Sequence, residues 1–151
     1  MNYLLDTNIV LTYIRDTEVS RKIEKRLNLL NGKHNILLSV VSIGELKSIA
    51  LQNKWGKRKI ATLLSFLKKF IIIDINIEEI INRYAEIDAF SQGRLKSKKV
   101  SFSARNMGKN DLWIAATASV YNLQFLTTDK DFNHLDKEYI SLNLLILEEY
   151  L

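Results

Sequence analysis

Four acids occupy places from which a folded chain could bring them to one spot. Asp6 closes the apolar run Tyr3-Leu4-Leu5, and Asp129 follows Phe125-Leu126-Thr127-Thr128. Asp111 opens a helix-like run directly after a basic stretch, and Glu45 lies near the start of the helix that follows Asn35–Ser39. Carboxylates gathered together repel one another unless a cation sits among them. Oxygen donors with no His or Cys suit Mg²⁺ or Mn²⁺. Each acid also has a local reading. Asp6 could cap the helix beginning at Thr7. Ser42-Ile43-Gly44-Glu45 has the S-x-x-E form of a capping box. Asp111 could favour a helix dipole, and Asp129 could cap the turn before Phe132. Taken together, the cap readings weaken, because they do not explain why all four acids fall at one kind of position.

That position is defined by the elements around it. Apolar runs at Asn2–Asp6, Asn35–Ser39, Phe70–Ile75, Gln124–Thr127 and Leu144–Leu147 predict strands. Phe70–Ile75 is β-branched and apolar, as a buried parallel strand should be. Between them, Thr7–Arg15, Glu18–Leu30, Val41–Asn53, Lys57–Lys69, Ile77–Phe90 and Asn110–Tyr121 read as helices, with Asn76 as the expected N-cap of the fifth. Asn31-Gly32 is expected to stop the second helix. Lys130–His134 reads as a short helical turn, and Ser91–Lys109 as a basic loop or mobile segment. Strands alternating with helices imply an α/β fold: one domain over 1–151, with a central, mostly parallel sheet of 4–5 strands flanked by helices. In such sheets, sites lie outside the carboxyl ends of the strands, where strand ends and helix starts share an edge.

Composition narrows the partner classes. The chain has 151 residues, 22 Lys+Arg against 17 Asp+Glu, two His, no Cys and no Pro. Disulfide scaffolds and Cys zinc sites are excluded, and no apolar run is long enough to span a membrane. With no signal-peptide pattern at its start, the chain is expected to be cytoplasmic. The basic residues are unevenly spread. Between Glu45 and Asp74 lie Lys47, Lys54, Lys57, Arg58, Lys59, Lys68 and Lys69 with no acid. Between Asp88 and Asp111 lie Arg94, Lys96, Lys98, Lys99, Arg105 and Lys109, again with no acid. Such windows are solvated faces or phosphate-contacting surfaces, and charge alone does not decide which.

The motifs resemble those of PIN domains. Asp6-Thr7-Asn8 after an apolar strand resembles the opening motif, and Ser39–Leu46, with the helix-borne Glu45, resembles the second. Asn110–Ala118 is similar to the third, and Leu126–Phe132 to the fourth. Order, spacing and length all match, and a lone domain of this size resembles a VapC-type toxin of a toxin–antitoxin pair. The resemblance implies a Mg²⁺- or Mn²⁺-dependent endoribonuclease. Asp6, Glu45, Asp111 and Asp129 map onto the family's acidic quartet, as both catalytic and metal-holding residues. Asn8 and Thr127 map onto supporting polar positions, and Asp131 could assist or replace Asp129. The long, basic Arg94–Lys109 segment departs from many relatives.

Water attack on the phosphodiester is expected to leave a 5′-phosphate and a 3′-hydroxyl. No His falls in any motif, which argues against a His acid/base pair. Lys54, Lys57, Arg58, Lys59, Arg94, Lys96, Lys98, Lys99, Arg105 and Lys109 are expected to hold the RNA backbone. Trp113, Tyr121 or Phe102 could stack on unpaired bases if exposed, although core burial is the simpler reading of Trp113. The resemblance also implies a VapB-like antitoxin, a homodimer, and structured RNA such as tRNA or rRNA as substrate. Two other readings remain: an RNA-processing PIN nuclease without an antitoxin, and a catalytically silent PIN module that only binds RNA or protein.

Overall fold

A computed structural model describes residues 1–151. Five strands, β1 (Asn2–Leu5), β2 (Asn35–Ser39), β3 (Ile71–Ile73), β4 (Gln124–Thr127) and β5 (Ser141–Leu144), form one sheet in the order β3-β2-β1-β4-β5. Every pairing is parallel. The helices are α1 (Thr7–Ile14), α2 (Glu18–Leu27), α3 (Val40–Gln52), α4 (Lys57–Leu67), α5 (Glu78–Ser91) and α6 (Lys109–Val120), with 3₁₀ turns at Lys130–Leu135 and Leu147–Tyr150.

The central strand is apolar because both of its faces are covered. Successive side chains on a strand point to opposite faces, so Leu5 and Leu4 enter different cores. Leu5 packs with Ile9, Val10, Leu38, Leu46 and Leu63 under α1, α3 and α4. Leu4 packs with Phe125, Ile80, Ile87 and Leu112 under α5 and α6. The run Ala115-Ala116 and Ala118 on α6 is fully buried, and its small side chains let this helix sit close to the sheet. From β1 the chain builds outward to β2 and β3, then returns to lay β4 and β5 on the other side. The strand order therefore reverses between β1 and β4, which is where open α/β sheets bind ligands.

Several boundaries differ from the sequence expectation. Helix α2 ends at Leu27 rather than Leu30, because Asn28 adopts the left-handed conformation (φ 51°) and terminates it. The strand within Phe70–Ile75 is only three residues long and lies at an edge, not in the interior; Ile71 and Ile72 are exposed. Asp74 Oδ1 accepts from the N–H groups of Ile75 and Asn76 and turns the chain there. Ile77, not Asn76, is the N-cap of α5, and it makes no side-chain capping bond. The last strand is Ser141–Leu144 rather than Leu144–Leu147. It alternates polar and apolar residues as a half-buried edge strand does, whereas Leu145 turns into the core.

The stretch between α5 and α6 is irregular, as expected, but it is tied down. The Arg105 N–H donates to Ser91 O (2.7 Å), and Phe102 packs edge-on against Phe90 and His134. Ser91 Oγ, fully buried, pairs with His134 Nε2 at 2.7 Å. No helix is long and apolar enough to cross a membrane.

Candidate active site

The site lies at the carboxyl edge of the sheet, at the reversal between β1 and β4. Asp6 follows β1 and is buried. It does cap α1, since its Oδ1 accepts from the Thr7 N–H at 2.8 Å. Its other oxygen, Oδ2, accepts from the Thr127 hydroxyl at 2.6 Å. Thr127 ends β4 and is fully buried; its Oγ1 also accepts from the Asp129 N–H at 3.0 Å. One hydroxyl thus ties the ends of the two strands that flank the reversal. Asp129 in turn caps the following 3₁₀ turn, accepting from the Asp131 N–H at 2.9 Å.

Glu45 reaches the same place from α3. Helix α3 begins at Val40, with Ser39 as its N-cap accepting from the Val41 N–H, so Ser42 lies inside the helix. The capping-box reading of Ser42–Glu45 therefore does not hold. Freed from the backbone, Glu45 accepts from the Thr7 hydroxyl at 2.7 Å. Sequence reasoning passed over Thr7; its signal was a small hydroxyl residue at the first position of the helix, directly after Asp6. Asp111, in the first turn of α6, completes the group.

The acids feel one another's charge. Burial pushes the Asp111 carboxyl up to about 7, and the charges of Asp6, Asp129, Glu45 and Asp131 push in the same direction. Asp6 is also raised, chiefly by burial and further by Glu45 and Asp129, against the opposing pull of its bonds from Thr127 and Thr7. An edge that holds a carboxylic acid half-protonated near neutrality is under electrostatic stress that a cation would relieve. The available donors are all oxygens, which fits a hard divalent ion. No three of the acids stand in a ready ligand cage as the side chains are placed.

The remaining predicted residues divide. Asp131 is exposed, yet it lines a cavity of about 260 Å³ together with Asp111 and Arg105. Asn8 makes no hydrogen bond to any of the acids, and its Oδ1 is buried without a partner. Lys54, Lys57, Arg58 and Lys59 cluster at the α3–α4 turn and the start of α4, where Lys59 lies over the Trp55 ring at 4.4 Å. Arg94, Lys96, Lys99 and Lys109 are exposed, whereas Lys98 is engaged with Glu138 (3.8 Å) and the Tyr139 ring. Trp113 is half-buried against Tyr84, with ring centroids 4.3 Å apart, and also lines a cleft of about 540 Å³ beside Glu45.

The model of the PIN domain matches residues 3–138, from β1 to just past the 3₁₀ turn after β4. The chain belongs to the PIN domain family. No curated protein matches it in sequence. Solved structures share the fold. VapBC2 from Rickettsia felis, bound to a DNA fragment from its promoter, superposes with a TM-score of 0.72 at 23% identity, over 95% of this chain and 98% of that one. VapBC-1 from nontypeable Haemophilus influenzae gives 0.70 at 22% identity, over 95% and 98%. FitAcB from Neisseria gonorrhoeae gives 0.64 at 24%, over 93% and 95%. The shared PIN fold covers almost the whole chain, including all four acid-bearing strand ends and helix starts.

Proposed function

We propose that this PIN domain is a divalent-metal-dependent endoribonuclease acting as the toxin of a VapBC-type pair. The observation that carries the reading is the gathering of Asp6, Glu45, Asp111 and Asp129, from four separate stretches of chain, at the strand-order reversal with only oxygen donors. The toxin assignment rests on the likeness to complexes that pair a VapC-type chain with its antitoxin. By that likeness, a VapB-like antitoxin is the expected partner; the expectation of a homodimer rests on the motif resemblance alone.

Asp6, Glu45, Asp111 and Asp129 would hold Mg²⁺ or Mn²⁺. When bound, the ion would activate water for attack on the phosphodiester and offset charge on the departing oxygen. The chain's own contribution is preorganisation. Thr127 and Thr7 fix one oxygen each of Asp6 and Glu45, so those carboxylates enter the reaction already oriented. Arg105, beside Asp111 and Asp131, is the cation best placed to hold a substrate phosphate. Lys54, Lys57, Arg58, Lys59, Arg94, Lys96, Lys99 and Lys109 supply a weaker, sequence-independent attraction for the RNA backbone.

The reading is tested on purified chain with single-stranded RNA and Mg²⁺ or Mn²⁺. Cleavage should leave 5′-phosphate and 3′-hydroxyl ends and stop with EDTA. Asp6→Asn and Asp111→Asn should each lower the rate by about 100-fold or more with the fold retained by circular dichroism. A 2′,3′-cyclic phosphate product, or full activity of Asp6→Asn, overturns it.

A further inference from the structure

The cleft of about 540 Å³ opens on the Glu45 side of the acids, and its lining differs from every other part of the site. Glu45, Ser48 and Gln52 come from successive turns of α3, Asn110 and Trp113 from the start of α6, and Ile75 from the turn after β3. No Lys or Arg lines it, although the chain carries 22. A phosphate would find no cation there. A flat, uncharged group with a hydrogen-bonding edge would find what it needs. Tyr84 backs the Trp113 ring, fixing a half-exposed indole in one orientation. Gln52 Nε2 donates to Ser48 Oγ (2.8 Å), which orients the amide and leaves its carbonyl oxygen free to accept. Asn110 is exposed and offers a second amide. The cleft is continuous with the acids, because Glu45 belongs to both and Asn110 immediately precedes Asp111.

We propose that this cleft seats one unstacked nucleobase of the RNA, stacked on Trp113 and read along its edge by Gln52 and Asn110. It rests on the nuclease reading and deepens it: the seated base belongs to a nucleotide flanking the cleaved phosphate. The chain would then select the base at the cut rather than read only the RNA's overall shape. Aromatic stacking tolerates any base, so the choice among bases falls to the two amides.

The test uses Trp113 as its own reporter. A Trp55→Phe, Asp6→Asn double variant keeps Trp113 as the sole tryptophan and slows turnover in Mg²⁺ enough for a binding titration. Short single-stranded RNA is titrated in, with binding followed by anisotropy of a dye on the RNA and stacking followed by tryptophan emission. Saturable quenching of Trp113 over the range where anisotropy rises is expected. An oligonucleotide of the same length with abasic riboses should bind about tenfold or more weakly and leave the emission unchanged. Trp113→Phe should retain the difference between the two ligands, whereas Trp113→Leu, which keeps the packing against Tyr84 but not the stack, should erase it. In otherwise native chain, Gln52→Ala with Asn110→Ala should shift which base flanks the cut. RNA that binds without quenching, and no more tightly than the abasic strand, overturns the base site and leaves the nuclease reading standing. Absence of RNA binding by either signal overturns both.

Discussion

The two acid-free basic windows look alike in the sequence and are used differently by the fold. The first, Lys47–Lys69, runs along α3 and α4. Lys47, Lys57, Arg58 and Lys59 lie on the helices and Lys54, Lys68 and Lys69 at their ends, with Lys59 and Lys69 over the rings of Trp55 and Phe66. Lys57, Arg58 and Lys59 also crowd the N-terminus of α4, where the helix dipole is already positive and no acid offsets it. The second window, Arg94–Lys109, has no regular structure before α6 begins at Lys109, but it is anchored to Ser91 and His134, and it delivers Arg105 to the cavity that Asp111 and Asp131 line. Equal charge density therefore does not mean equal function. One window is a diffuse field over a helical surface, and the other places a single guanidinium beside the acids.

The largest separation between the windows should come from Arg105. Arg105→Ala is expected to lower kcat/KM for RNA cleavage by about 10- to 100-fold, the range for loss of a charge-assisted hydrogen bond. Arg105→Lys should recover only part, because an ammonium lacks the forked geometry for phosphate. If Arg105→Ala cleaves as the parent does, the second window is no more specific than the first.

Breaking the anchor while leaving the cation should cost less. Ser91→Ala removes the buried hydroxyl that pairs with His134 Nε2 and donates to Met107 Sδ. An unsatisfied buried partner costs about 1–3 kcal/mol, and each kcal/mol lowers Tm by about 2–4 °C at this chain length. Activity should fall several-fold, and amides of the Arg94–Lys109 segment should exchange faster with solvent. Unchanged exchange there would mean that the Arg105 N–H bond to the backbone carbonyl at position 91 and the aromatic contacts of Phe102 hold the segment without the Ser91 hydroxyl.

Neutralising the first window should cost less again. Replacing Lys57, Arg58 and Lys59 by Gln should weaken RNA binding about equally for all sequences. The slope of log affinity against log salt should become shallower by about 0.7 for each phosphate that is no longer neutralised. Stability should rise slightly, because three cations leave a helix N-terminus. A change of cleavage position, as opposed to a uniform loss, would assign this window a specific role after all.

The windows also show what the sequence could and could not reveal. The alternation of strands and helices was legible, and so was the edge on which Asp6, Glu45, Asp111 and Asp129 gather, because strand ends and helix starts are local features with strong signals. Whether the second window was free or anchored depended on Ser91 meeting His134 and Phe102 meeting Phe90, pairings between residues 12 to 43 positions apart that leave no local pattern. The same applies to Glu45. Its S-x-x-E spacing is a genuine capping-box pattern, and only the start of α3 at Val40 and the Thr7 hydroxyl redirect it to the site. The reading of Phe70–Ile75 as a buried strand failed for a related reason: β-branched composition marks a strand but not its rank in the sheet, and β3 is a parallel strand at an edge, with Ile71 and Ile72 exposed. Leu144–Leu147 misled because it is the most apolar run near the end, while β5 is set by its pairing with β4 through Asn143 and Leu144.

The remaining contrast is in stability, and it separates the two windows by pH. Asp111 borders the second window, and its carboxyl is pushed from its ordinary 3.8 up to about 7 by burial and by the surrounding acids. The folded chain therefore binds more protons than the unfolded chain between those values. The contribution of this group to stability is fully present below about pH 4 and is lost as pH rises through about 7. In metal-free buffer, Tm should fall over that interval, and Asp111→Asn should flatten the fall. Mg²⁺ or Mn²⁺ should raise Tm more at pH 8 than at pH 5, since protons compete for the same oxygens. Gln at positions 57, 58 and 59 should leave the slope untouched, because none of those side chains lines the cavity that Asp111 shares with Arg105 and Asp131. A slope that changed with the first window and not with Asp111→Asn would show that the charge repulsion is spread over the surface instead of being concentrated at the acids.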